Sequence, residues 1–390
     1  MLRRVRAAVV VSYAAFVLVG IASGASGVLL PAQMASYGVG RATIGISFFT
    51  VSAGYVLAGL SNGALIGRFG FRTGLAAGGA VFMMAGLYLA TGPPFTGFLL
   101  AGVLTGYGSG VLESVLNVYL AALPDATVLL NRLHAFWGAG ALAGPLLAAW
   151  IIGFAPWTVV WLVLAVACVP LLAGFLAAYR EPSPAPAVSE APVVPAASGS
   201  MLGAAMRDRG VQLGAAMLAV YVGLEASVGN WGFSYLVQAR ALPGTLASYT
   251  ISGYWLGLTL GRFLIGPLTA RTRVTTAGMM RACLAGTAAA AVLAWLSPAV
   301  LACAALGLLG FFLGPIFPTT MAIAPRLTQA RLVPTAIGIM NAASVGGGSV
   351  TPWLAGTITQ NAGMWILLPF SAALAAIQLA IWRPITGRLR

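Results

Sequence analysis

The stretch "WTVVWLVLAVACVPLLAGFLAAY" (Trp157 to Tyr179) contains no charged side chain from end to end. An α-helix rises about 1.5 Å per residue, so about 20 apolar residues cross the ~30 Å hydrocarbon core of a bilayer. A helix on the surface of a soluble domain carries a polar face, and one buried in its core is usually shorter. This stretch therefore predicts a transmembrane helix.

The composition of the whole chain agrees with this interpretation. Of its 390 residues, 60% are hydrophobic and only 7% are charged. A soluble domain carries about 25% charged residues, so this chain cannot build a surface that faces water everywhere. Its apolar runs are unbroken over about 20 residues, whereas the strands of a membrane barrel alternate over about 10. The composition predicts an integral membrane protein made of helices.

Twelve apolar stretches of this kind follow one another, in two groups of six. They are residues 7–35, 42–66, 74–91, 95–122, 132–154 and 157–179, then 210–238, 246–269, 275–296, 298–324, 332–359 and 363–382. Between the groups lies "YREPSPAPAVSEAPVVPAASGS" (Tyr179 to Ser200), a composition typical of a solvated linker. The expected domains are a six-helix bundle at 1–179, a linker at 180–206 and a second bundle at 207–390.

The positive charge of the chain indicates its orientation. The formal net charge is +14, and all 20 basic residues are arginine. They form short clusters between apolar stretches instead of one basic domain, which excludes a nucleic-acid-binding function. Only Arg41 and Arg240 fall on the opposite side from the others. The bias of basic residues toward the cytoplasm therefore predicts cytoplasmic termini and a cytoplasmic linker.

The two groups of stretches also share a pattern, which predicts a duplicated six-helix unit. At an offset of 199 residues, Gly54-Tyr55 aligns with Gly253-Tyr254, Gly67 with Gly266, and Arg72 with Arg271; at an offset of 207, Gly140, Pro145 and Ile151 align with Gly347, Pro352 and Ile358.

Two of the six acidic residues lie inside predicted spans. Glu113 is in the fourth stretch and Glu225 is near the middle of the seventh. An ionised carboxylate in hydrocarbon costs several kcal/mol, so such a residue faces an aqueous cavity or is protonated. We interpret both as proton-coupling groups. The alternative is a permanently protonated or hydrogen-bonded glutamate that only ties helices together.

Polar residues near Glu113 extend the candidate site. Asn117 is one helical turn further and lies on the same helix face. His134, the only histidine, enters the fifth stretch, and Asn341 occupies the matching position in the second half. A lone histidine is as often a satisfied structural group as a proton carrier, and both roles stay open for His134.

Blocks of sequence around these residues resemble a known transporter family. "LESVLNVYL" (Leu112 to Leu120) resembles the pattern L-E-x-x-x-N-x-Y, and "LNRLHAFWGAGALAGPLL" (Leu130 to Leu147) resembles L-N-x-x-H/Q-x-F-x-G-x-G-A. "FFLGPIFPT" (Phe311 to Thr319) and "YVGLEASVGNWGFSYL" (Tyr221 to Leu236) are similar to further segments of the same proteins. The family is the fucose–galactose–glucose:proton symporters of the major facilitator superfamily.

The resemblance implies an all-α membrane protein with twelve transmembrane helices in two bundles, the major facilitator fold. It implies that Glu113 is the proton-linked residue and that Asn117 contacts sugar. The first predicted span lacks the aspartate that the fucose branch requires, so the resemblance is to the glucose-type branch. Glu225 is then the second acid, moved to the other half of the chain.

Sugar binding requires amide or carboxylate partners for hydroxyl groups and an aromatic face for the sugar ring. The candidates are Asn117, Asn230, Asn341, Trp231, Tyr254 and Trp255, with a gating network of His134, Asn131, Arg68, Arg72 and Arg262. The alternative for Trp231 is anchoring at the membrane interface, and for Tyr254 and Trp255 it is packing in the core.

The segment "SNGALIGRFGFRTG" (Ser61 to Gly74) resembles the loop signature G-x-L-x-D-R-x-G-R-R of the superfamily. Gly67 stands where that signature has an aspartate. The acid normally forms a salt bridge between the two halves in the outward-open state, so its replacement predicts a weaker or different lock.

These observations predict a proton-coupled importer of a monosaccharide or similar small polar solute, acting as a monomer in a bacterial inner membrane, with no cofactor or metal. The alternative is a proton-coupled exporter of a lipophilic drug, glycolipid or amphipathic metabolite. It is suggested by "GALAGPLLAA" (Gly140 to Ala149), which partly resembles an antiporter pattern, although close helix packing also explains these glycines. The sequence carries no set of residues typical of a membrane enzyme.

Overall fold

The computed structural model describes residues 2–179, 199–272 and 274–389 of the chain, and these residues are helical with short connections. The α-helices are α1 (Leu2–Tyr37), α2 (Arg41–Ile44), α3 (Ile46–Ala90), α4 (Phe95–Ala121), α5 (Ala126–Ile152), α6 (Thr158–Ala178), α7 (Gly199–Arg207), α8 (Arg209–Gln238), α9 (Gly244–Thr272), α10 (Thr276–Leu296), α11 (Ala299–Leu313), α12 (Ile316–Ala322), α13 (Ala324–Leu327), α14 (Val333–Ala362) and α15 (Leu367–Leu389). Short 3₁₀ turns cover Ala330–Leu332 and Met364–Ile366. Within the described ranges no residue lies in a β-strand, so the predicted all-α class is confirmed.

Nine segments of the described chain are long and apolar enough to cross a membrane. One of them, Arg41–Ala90, has 50 residues and would extend about 75 Å as one straight helix. Its helix breaks at Gly70, where φ is 75° and ψ is 174°. This backbone conformation favours glycine, because a side chain would clash there. The kink falls between predicted stretches 42–66 and 74–91, which α3 therefore contains as two segments.

The helices group into two compact units. Unit 1 comprises residues 1–183 with 243–252, and unit 2 comprises 184–242 with 253–390, as far as each is described. In unit 1, α3 packs along α4 and α6, and α1 packs along α5. Its core includes fully buried Phe16, Leu75, Val111 and Leu133. The predicted boundaries at 1–179, 180–206 and 207–390 stay a prediction. Residues 180–198 of that linker lie outside the described ranges, and α7 begins at Gly199.

In unit 2, α8 packs along α14 and α15, and α10 packs along α11 and α15. Leu218 and Met340 form a buried cluster that joins α8 to α14. The Trp231 indole N–H donates to the Pro352 carbonyl over 2.7 Å and adds a polar contact between the same two helices. These contacts hold α8, which carries Glu225, against its neighbours.

Arg240 caps the end of α10. Its guanidinium donates to the carbonyl oxygens of Ala294 (2.7 Å), Ser297 (3.0 Å) and Trp295, and to the Tyr235 hydroxyl (2.7 Å). The last carbonyls of a helix have no partners within the helix and carry partial negative charge, so an arginine is favoured there. Arg240 is one of the two arginines that the sequence places opposite the rest, and this contact gives it a structural role.

Asp208 caps the beginning of α8. Its carboxylate accepts from the backbone N–H groups of Gly210 (2.7 Å) and Val211 (3.3 Å) and from the Thr328 hydroxyl (2.8 Å). Burial raises the pKa of Asp208, but the hydrogen bonds and the charge of Arg388 outweigh burial and hold that pKa below its ordinary value. The carboxylate thus joins the start of α8 to the segment before α14.

We expect Asp208→Ala to lower the free energy of unfolding by about 0.5–2 kcal/mol at neutral pH, because the cap is lost. A lowered folded-state pKa stabilises the protein above the unfolded value of about 3.9, and this contribution disappears as the pH falls through the folded value. Thermal unfolding in detergent at pH 7 and near pH 3 should therefore show a gap between wild type and variant that narrows in acid. Asp208→Asn, which keeps a capping oxygen without the charge, should lose less at neutral pH. A gap that widens in acid would contradict this account.

Candidate functional site

Glu113 lies half-buried on α4, opposite Tyr55 on α3. The Tyr55 hydroxyl donates to the Oε1 atom of Glu113 over 3.4 Å, which is long for an O–H···O hydrogen bond. Ser109, one turn before Glu113, forms a side-chain hydrogen bond with Tyr55. In the part of the chain that is described, Glu113 forms no ion pair, so its nearest polar contact is neutral.

The close approach of α3 to α4 depends on Gly110. A Cβ atom at Gly110 would lie 2.8 Å from the Ala58 Cβ and 3.1 Å from the Tyr55 Cδ1, closer than side-chain atoms tolerate. Glycine therefore lets Tyr55 reach the carboxylate that lies one turn further along α4. Tyr55 was recognised from the sequence only as the repeat counterpart of Tyr254, and its place in the site was missed.

Asn117 follows Glu113 by one turn of α4, as predicted from the sequence. Its side-chain Nδ2 donates to the backbone carbonyl of Glu113 over 2.8 Å. Such a bond between positions i and i+4 holds the amide along its own helix. Asn117 and Glu113 therefore share one half-buried face of α4.

The other predicted network residues of unit 1 are exposed or half-buried. Asn131 and His134 are exposed on α5, where the His134 ring meets Phe16 edge-on with centroids 5.7 Å apart. Arg68 is exposed on α3 with its guanidinium 5.3 Å from the Phe69 ring centroid, and Arg72 is half-buried. A Cβ atom at Gly67, where the family signature has an acid, would meet no atom within 4 Å.

Glu225 lies at the centre of a polar group in unit 2. The Tyr254 hydroxyl on α9 donates to the backbone carbonyl of Glu225 over 3.1 Å. Arg262, two turns further along α9, acts on Glu225 electrostatically, and so does Tyr221, which precedes Glu225 by one turn of α8. The structure thus brings together Glu225, Tyr254 and Arg262 from the predicted set. Tyr221 was missed, because a buried tyrosine in an apolar helix gives no signal of its own.

The remaining predicted binding residues of unit 2 differ in burial. Trp231 is fully buried and engaged with Pro352, so it is far from the exposed setting of an interfacial anchor. Trp255 is almost buried and packs on Tyr254 with ring centroids 5.2 Å apart. Asn230 is half-buried and donates to the Ala226 carbonyl over 2.8 Å, whereas Asn341 is exposed.

Metal binding has no support in the described ranges, where no three His, Cys, Asp or Glu side chains gather into a metal-binding group. The polar groups present are amides, hydroxyls, two half-buried carboxylates and arginines. These groups suit hydrogen bonding to a neutral polar solute and the transfer of protons.

Comparison with known proteins identifies the family. The family model described as Major Facilitator Superfamily matches residues 13–276, more than half of the chain. The chain belongs to the major facilitator superfamily. It is accordingly a multi-pass membrane transporter and not an enzyme, and the resemblance stated from the sequence motifs is confirmed at this level.

Two relatives cover most of the chain. "Bypass of stop codon protein 6" of Saccharomyces cerevisiae is 27% identical over 384 residues, which cover 90% of this chain and 76% of that protein. The glucose/mannose transporter of Bacillus subtilis is 23% identical over 376 residues, which cover 95% of this chain and 92% of that protein.

Solved structures of superfamily transporters share the fold. A nucleoside transporter superposes with a TM-score of 0.78 at 13% identity, covering 97% of this chain and 99% of its own. A D-xylose–proton symporter gives 0.72 at 16% identity, covering 96% and 97%. The Escherichia coli fucose:proton symporter gives 0.64 at 16% identity, with the same coverage. At these identities the likeness shows the fold alone.

Proposed function

We propose that this chain is a proton-coupled symporter of a monosaccharide that works by alternating access in a bacterial inner membrane. Glu113 carries this proposal, because it is an intramembrane carboxyl whose side-chain partner is the neutral Tyr55 hydroxyl. Ionisable residues inside a membrane are costly and mark functional pathways by default.

A count of twelve spans is part of the proposal. The nine apolar segments of the described chain become ten when Arg41–Ala90 is divided at Gly70. Helices α9 and α14, with 29 and 30 residues, are each long enough to cross the bilayer and bring the count to twelve. An even count places both termini on one side, and the arginine distribution favours the cytoplasmic side.

Glu113 is suited to bind and release a proton. No arginine of the described residues forms an ion pair with it, so the ionised form has no fixed counter-charge to stabilise it. A carboxyl in this setting is favoured in its neutral form away from water and loses its proton when water reaches it. Opening of the site to each side of the membrane in turn would therefore change its protonation.

Glu225 differs from Glu113 in its surroundings. Arg262 lies within electrostatic range and supplies a counter-charge, and the Tyr254 hydroxyl fixes the helix backbone at Glu225. We therefore assign Glu225 primarily to substrate binding and only secondarily to proton transfer. Its carboxylate would accept hydrogen bonds from sugar hydroxyls. Arg262 then neutralises the carboxylate in the absence of sugar.

Sugar recognition is proposed for amides and aromatic rings of each unit, on α4 in unit 1 and on α8, α9 and α14 in unit 2. Asn117, Asn230 and Asn341 would bond hydroxyl groups, and Trp255 would offer a ring face. Trp231 and Tyr254 are fully buried and would support the site from behind. The substrate class rests on the glucose/mannose transporter among the relatives, which aligns along nearly its whole length.

The cycle follows from these roles. Protonation of Glu113 from the outside removes its charge and permits closure around the bound sugar. Opening to the more alkaline cytoplasm releases the sugar and the proton. Return of the empty carrier to the outward-open state then completes the cycle.

A transport assay in proteoliposomes tests the proposal. We expect one or more sugars from a panel of hexoses, pentoses and polyols to cause alkalinisation outside the vesicles, read with a pH-sensitive dye. Vesicles without protein, and a protonophore added at the end, define the background leak. Silence across the panel, with proton movement driven instead by lipophilic cations or amphiphiles, would refute sugar symport and favour the exporter.

A further inference from the structure

Asn62 on α3 is a buried amide without a partner among the described residues. Its side chain is 6% exposed, and neither Nδ2 nor Oδ1 forms a hydrogen bond with any of them. A buried polar group left unpaired costs about 1–3 kcal/mol. Groups of this kind in proteins commonly bind an internal water molecule that also reaches other polar partners.

The position of Asn62 indicates where such a water would lie. Tyr55, Ala58 and Asn62 have the spacing i, i+3 and i+7, so they lie on one side of α3. Tyr55 and Ala58 border Gly110 of α4. Asn62 therefore continues the side of α3 that packs against α4, about 10 Å beyond Tyr55 along the helix axis.

The facing side of α4 carries a matching row. Gly110, Glu113 and Asn117 have the same i, i+3 and i+7 spacing. A further hydrogen bond, between the hydroxyls of Ser61 and Tyr107 at 3.1 Å, crosses between the same two helices. Polar groups thus follow the α3–α4 contact on both sides of the glutamate.

We propose that Asn62 holds a water molecule, and that Tyr55, Asn62, Glu113 and Asn117 form a proton route between α3 and α4. The inference rests on the proposed function of Glu113 as a proton carrier. A proton passes along such a route by rearrangement of hydrogen bonds, with one proton entering at one end as another leaves. Each oxygen that gives up an O–H bond gains another, so the relaying groups are chemically unchanged afterwards. The water and the Tyr55 hydroxyl suit the task because each accepts a proton on the same oxygen that gives one up, and the Asn62 amide holds the water in place by donating to it and accepting from it.

Hydrogen–deuterium exchange of the Glu113 carboxyl tests the route without any sugar. The infrared carbonyl band of protonated Glu113 is identified by its loss in Glu113→Gln, and its shift after transfer into D2O gives the exchange rate. We expect Asn62→Leu, which has a similar size and no polar atoms, to slow this exchange by about tenfold or more, as expected for losing one hydrogen-bonded link. Asn62→Ser, which is small and polar, should keep the exchange fast.

Gln378→Leu is the matched control, since Gln378 is fully buried on α15 and its amide also has no partner among the described residues. It should leave the Glu113 exchange rate unchanged. The route would be overturned if the Glu113 carboxyl of Asn62→Leu exchanged at the wild-type rate. It would also be overturned if Gln378→Leu slowed that exchange as much as Asn62→Leu does.

If Asn62→Leu does not fold, Tyr55→Phe replaces it, with Tyr107→Phe as the control on the same helix pair. Slowed exchange in Tyr55→Phe alone supports the route, and a wild-type rate overturns it. The failure of the proposed function would look different. In that case the wild type would show no sugar-driven proton uptake, whereas the exchange assay, which uses no sugar, would still report on the route.

Discussion

Glu113→Gln should abolish sugar-driven proton uptake in proteoliposomes. The amide has nearly the shape of a protonated carboxyl but cannot titrate, so the coupling step is removed while the helix contacts remain. We expect the proton signal to fall by about 100-fold or more, to the background leak, as for the loss of a positioned proton-transfer group. Sugar exchange at equal concentrations on both sides should persist, because exchange requires no net proton movement.

Asp125→Asn is the matched control for this variant. Asp125 is an exposed acid in the turn before α5, and its φ of 60° is one that asparagine adopts readily. The control makes the same chemical change in the same unit and should transport like the wild type. Sugar-driven proton uptake that survives in Glu113→Gln would rule out this residue as the coupling group.

Gly106→Ala should strongly destabilise unit 1. A Cβ atom at Gly106 would collide with the carbonyl of Val51, approaching its carbonyl carbon to 2.8 Å and its Cα to 3.0 Å. Backbone cannot move aside as a flexible side chain does, so α3 and α4 must separate. We expect the free energy of unfolding to fall by about 1–3 kcal/mol, and the separation should also move Tyr55 away from Glu113.

Gly59→Ala makes the same change on α3 at a site where a Cβ atom would meet nothing within 4 Å. Alanine favours the helix over glycine by up to about 1 kcal/mol, so this variant should be neutral or more stable than the wild type. Thermal unfolding of both variants in one detergent would compare them directly. Equal effects of the two substitutions would show that the α3–α4 contact does not depend on Gly106.

Glu113 and Glu225 could be recognised from the sequence because acids are so rare within its apolar stretches. The break between the second and third predicted spans was also visible, and the structure places it at Gly70, where the backbone leaves the helical conformation. Tyr55 and Asn62 could not be recognised in this way. An uncharged hydroxyl or amide costs less inside a membrane than a charged acid and is a weaker signal of function, and what it contacts depends on the helix it faces.

Trp231 illustrates the same limit. Its place near the end of a predicted span allowed either sugar stacking or an interfacial anchor. The structure instead buries it completely and bonds its indole N–H to Pro352, a residue 121 positions away. A contact of that sequence separation depends on the rotation and register of two helices, which hydrophobic periodicity does not specify.

The sequence by itself determined the membrane class, the family and the two intramembrane acids. Each of these follows from composition, from span length against bilayer thickness, or from short motifs, which are local properties. Only the tertiary structure decided that Glu113 meets a neutral tyrosine, that Glu225 lies near an arginine, and that Asn62 has no described partner. Those differences arise from how closely glycines let particular helices approach, and an approach of a few ångströms decides which polar groups meet.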